Sequence, residues 1–367
     1  MPDTIPLNDL ARHNRPLLGV ITETTAQILA GGRLILGDQV AAFEREFASY
    51  IGVPHCLGVA NGTDALELAL RALDIGPGDT ILTVANAGMY AAAAAICVGA
   101  RPVFIDVEPQ RLTLDPRLLA EVCARTPRLK AIVVTHLYGR MADMGSIEAA
   151  AQGLPIIEDC AQAHGARRNE RRAGSFGRIA CFSFFPTKNL GAIGDGGAVL
   201  TSDSGLADKL RRLRQYGWQQ KYTAVQPGGR NSRLDELQAA ILRLKLPHLE
   251  GWNARRRQII EQYRQALPAG AIPAPGDDDA THLAVARIPQ RDRFRVALAA
   301  NNVATDIHYP MLDYRQPALA GLVEQQPLIE TERAVKEIVT LPCFPEMTDE
   351  EVERAVHAIR QAYGAGP

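Results

Sequence analysis

Short apolar runs alternate with amphipathic stretches through the first half of the chain. Seven apolar runs bounded by turn residues predict strands: Cys56–Ala60, Thr80–Val84, Pro102–Ile105, Ala131–Thr135, Pro155–Asp159, Ile179–Phe184 and Ala198–Thr201. Stretches with helical periodicity fall between several of them: Asp64–Leu73, Tyr90–Val98, Pro116–Arg125 and Ser146–Gln152. Apolar strands that alternate with helices indicate an α/β fold, with a mainly parallel sheet covered on both faces.

The pattern changes after residue 203. Further elements are predicted in this order: helix Leu206–Tyr216, a long helix Leu234–Ala266 interrupted near Pro247, a linker Pro268–Ala280, strand His282–Ile288, helix Asp292–Asn301, strand Thr305–His308, helix Ile329–Val339, and a last helix to Tyr363 that opens on a capping box at Thr348–Glu351. We predict a large domain with the N-terminal segment over residues 1–245. A small α+β domain is predicted over residues 246–367.

Composition excludes some classes of function. The chain has 367 residues, 47% of them hydrophobic and 22% charged, which is typical of a soluble globular protein. A formal net charge of −1 gives no overall attraction to nucleic acid or anionic lipid. The basic runs Arg211-Arg212 and Arg255-Arg256-Arg257 lie in helical patterns, so we interpret them as solvated faces. We expect neither a nucleic-acid partner nor a membrane partner.

The six cysteines show no CxxC motif and no paired spacing. Reduced thiols in a cytoplasmic protein and no metal site are the expectation. The N-terminus does not have the pattern of a signal peptide. The longest weakly polar run, 87–100, is shorter than the roughly 20 residues of a membrane helix.

Lys188 is the first candidate for chemistry. It follows the apolar run 179–185 and Pro186, and a glycine-rich stretch comes next, so it lies on a tight loop at a strand end. Burial there would lower the lysine pKa from its reference of about 10.4 and make the amine nucleophilic. A surface salt bridge is the alternative.

Asp159 ends another predicted strand upstream of Lys188. A lysine amine and a strand-end carboxylate are what pyridoxal 5'-phosphate requires. The amine forms a Schiff base with the aldehyde, and the carboxylate keeps the pyridine nitrogen protonated. Asp159 could instead cap a following helix. Gln162 can reach a bound ligand with its amide, and we interpret His164 as a structural histidine.

Two places can bind a phosphate. Gly62 and Thr63 follow a strand and open a helix, where free backbone N–H groups favour an anion. A plain turn with Thr63 as the N-cap is the alternative. Ser183 has a hydroxyl in a predicted buried strand and needs a partner, either a phosphate oxygen or a backbone carbonyl.

Five segments resemble the DegT/StrS-type sugar aminotransferases, which are fold-type-I pyridoxal phosphate enzymes: NGTDALELAL (61–70), HLYGRMADM (136–144), IEDCAQAHGA (157–166), FSFFPTKNLGAIGDGGAVLTSD (182–203) and NSRLDELQAAILRLKLPHLEGWNARR (231–256). The resemblance covers residues 36–316. It implies a cytoplasmic homodimer with shared active sites, in which Lys188 carries the cofactor and moves the proton.

The resemblance also assigns the other roles. It implies that Asp159 pairs with the pyridine nitrogen and that Gln162 lies near the phenolic oxygen. Gly62, Thr63 and Ser183 would hold the phosphate, and Asn231 would reach the phosphate of the neighbouring subunit. The remaining implied contacts are with the sugar nucleotide: Phe185, His308 and Tyr309.

The expected reaction moves an amino group from glutamate to a nucleotide-linked keto-deoxysugar. The segment Gln215–Tyr222 resembles enzymes that aminate C3 of dTDP-linked 3-keto-6-deoxyhexoses, the dTDP-3-amino-3,6-dideoxyhexose transaminases. Amination at C4, a sugar dehydratase and a regulator without turnover are the alternatives. Family dehydratases carry histidine in place of Lys188.

Three positions depart from the family pattern. Gly88 stands where an aromatic residue usually stacks on the ring, so we assign that contact to Met89, with Tyr90 or no residue as alternatives. Phe185 replaces a common tyrosine. His282 is followed by Leu-Ala-Val where aromatic residues are usual.

Overall fold

The computed structural model describes residues 3–276, 279–323 and 327–364. Its strands are β1 (His55–Val59), β2 (Thr80–Val84), β3 (Arg101–Ile105), β4 (Leu129–Thr135), β5 (Ile156–Asp159), β6 (Arg167–Arg168), β7 (Arg171–Arg172), β8 (Ile179–Ser183), β9 (Gly197–Thr201), β10 (Trp218–Gln220), β11 (Thr223–Ala224), β12 (Ala284–Arg287) and β13 (Ile338–Leu341). None of the helices in these ranges is both long enough and apolar enough to span a bilayer.

The helices cover both faces of the main sheet and build the C-terminal region. They are α1 (Leu10–Asn14), α2 (Leu18–Gly31), α3 (Asp38–Ile51), α4 (Gly62–Ala72), α5 (Tyr90–Cys97), α6 (Pro116–Arg125), α7 (Met144–Ala150), α8 (Ser204–Leu213), α9 (Glu236–Lys245), α10 (Leu249–Ala266), α11 (Arg291–Ala300), α12 (Ile329–Glu337) and α13 (Asp349–Gly364).

The seven predicted strands all form one sheet, in the order β1-β9-β8-β5-β4-β2-β3. Strand β9 runs antiparallel to β1 and β8, and the other neighbours are parallel. The predicted α/β class with a mainly parallel sheet is confirmed. The carboxyl ends of β1, β5 and β8 therefore lie at one edge of the sheet.

The alternation of side chains along each strand separates two hydrophobic cores. In β4, Ala131 and Val133 pack with α4, α5 and α8 on one face. Ile132 and Val134 pack with α3, α6, α7 and α9 on the other face. Burial of both faces explains why these strands are continuous apolar runs in the sequence.

The C-terminal region has its own core around the antiparallel pair β12–β13. Helices α10, α11 and α13 contribute to it, and so does Ile5 of the N-terminal segment, which bridges to Val303. Helices α9 and α10 meet at a 3₁₀ turn, Leu246–His248, at the interruption expected near Pro247. The division at residue 245 stays a prediction.

Some predicted elements were wrong. Residues 305–308 form no strand, and only Asp306 bridges to Thr340. The helix expected to reach Val339 ends at Glu337, and the next residues form β13. The expected linker 268–280 ends in buried residues, because Asp279 binds Arg111 at 2.5 Å. Residues 277 and 278 of this linker lie outside the described ranges.

The capping box that opens the last helix is confirmed. The Glu351 N–H donates to Thr348 Oγ1 at 3.2 Å, and the Thr348 N–H donates to the Glu351 carboxylate at 2.9 Å. At the start of α13, the backbone N–H of each of these two residues is therefore satisfied by the side chain of the other.

Candidate active site

The carboxyl edge of the sheet encloses a cavity of about 330 Å³, here called the first cavity. Its lining includes five residues predicted to bind the cofactor: Gly62, Thr63, Asp159, Ser183 and Lys188. Asp159 is the last residue of β5 and Ser183 the last of the adjacent strand β8, while Gly62 opens α4 after β1. The parallel register thus brings together residues that are far apart in the chain.

Lys188 lies on a tight turn just after β8, where its N–H donates to Phe185 O at 2.8 Å. Gly191 is necessary in this loop, because a Cβ there would lie 2.3 Å from Pro186 O. Burial lowers the pKa of Lys188 to about 8, and the nearby Asp159 opposes that shift. The amine is therefore easier to deprotonate than that of a surface lysine.

Buried polar groups from later in the chain hold this loop. Lys245 on α9 donates to Gly191 O at 2.9 Å. The Asn189 side chain, 1% exposed, donates to Asn253 Oδ1 at 2.8 Å and to Ala280 O at 2.7 Å. Its Oδ1 accepts from His282 Nδ1 at 2.9 Å. The position of Lys188 is therefore fixed by α9, α10 and the segment before β12.

Asp159 is 4% exposed and incompletely compensated. Its carboxylate accepts from the Ala161 N–H at 3.1 Å and from Thr135 Oγ1 at 3.3 Å. Burial raises its pKa above the usual value. No α-helix begins in the turns that follow, over residues 160–166, so the alternative of a helix cap is wrong. A cationic ligand group beside Asp159 would favour its charged form.

The neighbouring carboxylate, Glu158, differs from Asp159. It accepts from His136 Nε2 at 2.9 Å and from the N–H groups of Gly174, Phe176 and Gly177 at 2.6–2.8 Å. Burial raises the pKa of Glu158, but these hydrogen bonds outweigh burial and lower it overall. His136, Glu158 and Cys160 lie close enough to bind a metal, but Glu158 is already satisfied within the protein.

The start of α4 forms a cradle against β8. Asn61 caps the helix by accepting from the Asp64 N–H at 2.8 Å, so the alternative with Thr63 as the N-cap is wrong. A Cβ on Gly62 would lie 2.6 Å from Ser183 Cβ, and glycine is what allows this close approach. Helix-terminal N–H groups and two hydroxyls thus lie at the cavity, an arrangement that favours an anion.

A second cavity, also about 330 Å³, lies on the other side of Lys188. Tyr90, Phe185 and Lys188 line both cavities, and the predicted sugar-contact residues His308 and Tyr309 line the second. Gln162 lies behind this wall. Its Oε1 accepts from the Tyr138 N–H at 2.6 Å, and its Nε2 donates to Tyr309 OH at 3.1 Å.

Besides Gln162, two predicted residues line neither cavity. Met89 has a left-handed backbone (φ 76°), its N–H donates to Asp313 Oδ1 at 2.9 Å, and its side chain packs on the cluster around Phe104. The assignment of Met89 to the cofactor ring stays a prediction that this position does not support, and Tyr90, the named alternative, lines the first cavity. Asn231 is exposed, and its role toward a second subunit stays a prediction.

His164 is fully buried against the rings of Phe182 and Phe184. Burial lowers its pKa to about 3, so the ring is neutral at physiological pH. This agrees with the structural role expected from the sequence rather than with a proton donor.

Sequence reasoning missed Arg256. The run Arg255–Arg257 was interpreted as a solvated face, but Arg256 is 4% exposed and lines the second cavity. The available signal was helical geometry, because adjacent residues point about 100° apart and three in a row cannot share one face.

The residues of the first cavity fit pyridoxal 5'-phosphate. Asp159 has the buried, undercompensated carboxylate that a protonated ring nitrogen would satisfy. Gly62 lies so close to Ser183 that a Cβ on Gly62 would fill the space between them. This space lies at the N-terminus of α4, which suits a phosphate. Lys188 supplies an amine of lowered pKa between the two cavities.

Comparison with known proteins agrees with this fit. Residues 19–360 match the DegT/DnrJ/EryC1/StrS aminotransferase family. The dTDP-3-amino-3,6-dideoxy-alpha-D-galactopyranose transaminase of Aneurinibacillus thermoaerophilus is 44% identical over 366 residues, covering 98% of this chain and 99% of that protein. The UDP-N-acetyl-3-dehydro-alpha-D-glucosamine 3-aminotransferase of Acidithiobacillus ferrooxidans is 43% identical over 364 residues, covering 97% of each.

A solved structure agrees over the whole fold. DesV of Streptomyces venezuelae, in complex with a ketimine intermediate, is 40% identical with a TM-score of 0.92, covering 98% of both chains. The expected family, fold and cofactor are confirmed. The chain belongs to the DegT/DnrJ/EryC1/StrS family and is an aminotransferase that depends on pyridoxal phosphate.

Proposed function

We propose that this protein transfers an amino group from glutamate to C3 of a dTDP-linked 3-keto-6-deoxyhexose. The names of the two relatives described above support amination at C3, since both contain a 3-amino or 3-aminotransferase term. They differ in the nucleotide, which is dTDP in one name and UDP in the other. The segment Gln215–Tyr222 supports the dTDP-linked class through its resemblance to those enzymes.

The observation that carries the proposal is the position of Lys188 between two cavities. One cavity has the groups that suit the cofactor. The other offers a separate space beside the same amine for the amino donor and then for the keto-sugar. An amine that reaches both spaces can move a proton between cofactor and substrate carbons without rearrangement of the sheet.

Bound pyridoxal phosphate supplies an electron sink next to the transferred nitrogen. Lys188 Nζ removes the proton from the donor carbon and returns a proton one carbon away. Its pKa of about 8 makes it an effective general base near neutral pH. Asp159 would keep the ring nitrogen protonated. The α4 N-terminus with Thr63 and Ser183 would bind the phosphate.

Gln162 and Tyr309 shape the wall behind the reacting groups. The Gln162 amide is held at both ends, by the Tyr138 N–H and by Tyr309 OH. Phe185 is 50% exposed between the cavities and offers an apolar surface for the sugar. His308 Nδ1 is hydrogen-bonded to Thr340 Oγ1 at 2.9 Å, which fixes the orientation of its ring.

The proposal includes a homodimer with shared active sites. Helix α2, all of whose 14 residues are described, has only Ile21 buried, although it carries Leu18, Val20 and Leu29 on its exposed surface. A second copy of the chain is the partner we propose for this apolar surface. Asn231 would then act in the neighbouring site, and the mass in solution by light scattering tests the dimer.

The decisive experiment is a product assay with glutamate and three sugars: a dTDP-linked 3-keto, a dTDP-linked 4-keto and a UDP-linked 3-keto sugar. We expect a 3-amino product from the dTDP-linked 3-keto sugar, identified by mass and NMR. Turnover of the 4-keto sugar alone would establish C4 amination instead. Absence of any product, with bound cofactor, would favour the regulator. A dehydrated product would favour the dehydratase, which Lys188 argues against.

A further inference from the structure

The guanidinium of Arg256 faces the interior of the molecule. Arg255 pairs with Asp349 at 2.7 Å, and Arg257 donates to Asp279 O at 3.0 Å. Between them on α10, Arg256 is 4% exposed and lines the second cavity. A buried arginine next to a cavity needs an explanation, because burial of an unpaired charge is costly.

The protein compensates this charge only in part. Arg256 Nη1 donates to the backbone oxygens of Cys343 at 2.5 Å and His282 at 3.4 Å. The residues described here provide no carboxylate in contact with it, and its Nε is buried without a partner. Burial lowers its pKa, and the charge of Glu346 offsets this only partly. The Nε–Nη2 edge, which suits a bidentate carboxylate, makes no hydrogen bond to any residue that the structure describes.

The histidines of the second cavity do not add positive charge. Asn189 uses its amide nitrogen for two donations, so its oxygen accepts and His282 Nδ1 carries the hydrogen. Burial holds the pKa of His282 well below its usual value, and it also lowers that of His308. Asp306 lies in the lining as well, but it is exposed. Arg256 and Lys188 therefore supply the positive charge inside the cavity.

We propose that Arg256 binds a carboxylate of the amino donor in the second cavity. This rests on the proposed function, in which an α-amino acid gives up its nitrogen. In such a donor one carboxylate is attached to the carbon that carries the nitrogen, so it must lie close to Lys188. The diphosphate of a sugar nucleotide is the alternative anion. It is separated from the reacting carbon by part of the sugar ring, whereas the donor carboxylate is attached directly to the reacting carbon.

The test separates the two half-reactions. Holoenzyme is mixed with glutamate in the absence of sugar, and the change in cofactor absorbance is followed. For Arg256→Gln we expect the half-saturating glutamate concentration to rise by about 10- to 100-fold, the loss expected for a hydrogen bond to a charged group. The half-reaction of the aminated enzyme with keto-sugar should change by less than about threefold. Arg256→Lys should give an intermediate value.

Arg255→Gln is the matched control, because it removes the same charge from the same helix outside the cavity. We expect it to leave both half-reactions unchanged. A second measurement uses no turnover. Calorimetry should detect glutarate binding to wild-type holoenzyme and to Arg255→Gln, and weaker binding to Arg256→Gln. The thermal midpoint of each variant shows whether it is folded.

Three results would overturn the inference. An unchanged glutamate dependence in Arg256→Gln excludes the contact. An equal loss in both half-reactions with a lower thermal midpoint shows a structural role. Weaker binding of dTDP with unchanged glutarate binding assigns Arg256 to the diphosphate. A protein that binds glutarate through Arg256 but aminates no sugar would refute the proposed acceptor and leave the carboxylate site intact.

Discussion

The two cavities that meet at Lys188 are built in different ways. The first is formed by the ends of adjacent strands and the start of one helix, so hydrogen-bond register sets its geometry. The second is assembled from segments near residues 8, 256, 282, 308 and 340, most of them irregular. A site on a sheet edge is rigid, while a site on irregular segments can vary without disturbing the sheet. We therefore propose that the first cavity serves cofactor chemistry and the second serves substrate selection.

The largest loss of activity is expected from substitution of Lys188, which lines both cavities. Lys188→Ala should abolish the visible absorbance of the bound cofactor and lower transamination by at least about 10³-fold, because it removes both the nucleophile and the proton carrier. Borohydride reduction of the wild type followed by peptide mass mapping should place the label on residue 188. Lys245 is the internal control, since burial also lowers its pKa to about 8 but it lines neither cavity. A label on Lys245 would contradict the assignment.

The next effect distinguishes two adjacent carboxylates. Asp159→Asn should lower activity by about 10²- to 10³-fold through the loss of charge stabilisation, yet stabilise the cofactor-free protein. Burial raises the pKa of Asp159 in the folded state, so the wild type loses stability as pH rises from the unfolded-state pKa to the folded-state one. Thermal unfolding of apoprotein in steps from pH 4 to pH 8 measures this.

Glu158→Gln should have the opposite effect on stability. The folded-state pKa of Glu158 is lowered, so its contribution is present above the unfolded pKa and is lost as pH falls through the folded one. The variant should be less stable than the wild type at pH 8. If Asp159→Asn and Glu158→Gln changed thermal stability in the same direction, the opposite pKa shifts assigned to the two carboxylates would be wrong.

A smaller effect tests the phosphate cradle alone. Gly62→Ala introduces a Cβ that would lie 2.6 Å from Ser183 Cβ, so we expect cofactor affinity to fall by about 10- to 100-fold. Fluorescence titration of apoprotein with the cofactor gives the dissociation constant. Gly251→Ala on α10 is the control, because no atom lies within 4 Å of its added Cβ. An unchanged affinity in Gly62→Ala would show that the close approach of Gly62 to Ser183 does not contribute to cofactor binding.

The smallest effect belongs to the second cavity. Phe185→Tyr adds one hydroxyl to a ring that is 50% exposed, and it should change the KM for the keto-sugar by less than about fivefold. The visible spectrum should stay the same. Steady-state kinetics and an absorbance scan suffice, and loss of the cofactor band would show that Phe185 supports the first cavity instead.

Sequence alone predicted the sheet and the first cavity because both depend on local signals. Apolar strands bounded by turn residues are visible in the pattern, and their carboxyl ends necessarily share an edge. Asp159, Ser183 and Lys188 were found for this reason. Strand β13 was missed because it forms only by antiparallel pairing with β12, about 50 residues earlier.

The second cavity depends mostly on non-local contacts, for which the sequence pattern gives little signal. The sequence could not distinguish Met89 from Tyr90, because the backbone turn at Met89 is held by Asp313, more than 200 residues away. Arg256 was assigned to solvent because periodicity gives the repeat of a helix but not which face packs inward. Helices α1 to α3 were not predicted at all. The resemblance to known aminotransferases, rather than the pattern, supplied the predictions of Phe185, His308 and Tyr309 as sugar contacts.

The bonds that hold the Lys188 loop have a consequence for biosynthesis. Within the described residues, the Asn189 side chain is hydrogen-bonded by groups at residues 253, 280 and 282, and the Gly191 carbonyl by Lys245. While the ribosome is still making those residues, the sheet can already form, but the loop has buried polar atoms without partners. The nascent chain would therefore bind its cofactor only after residues 245–282 have been synthesised and have packed against the loop.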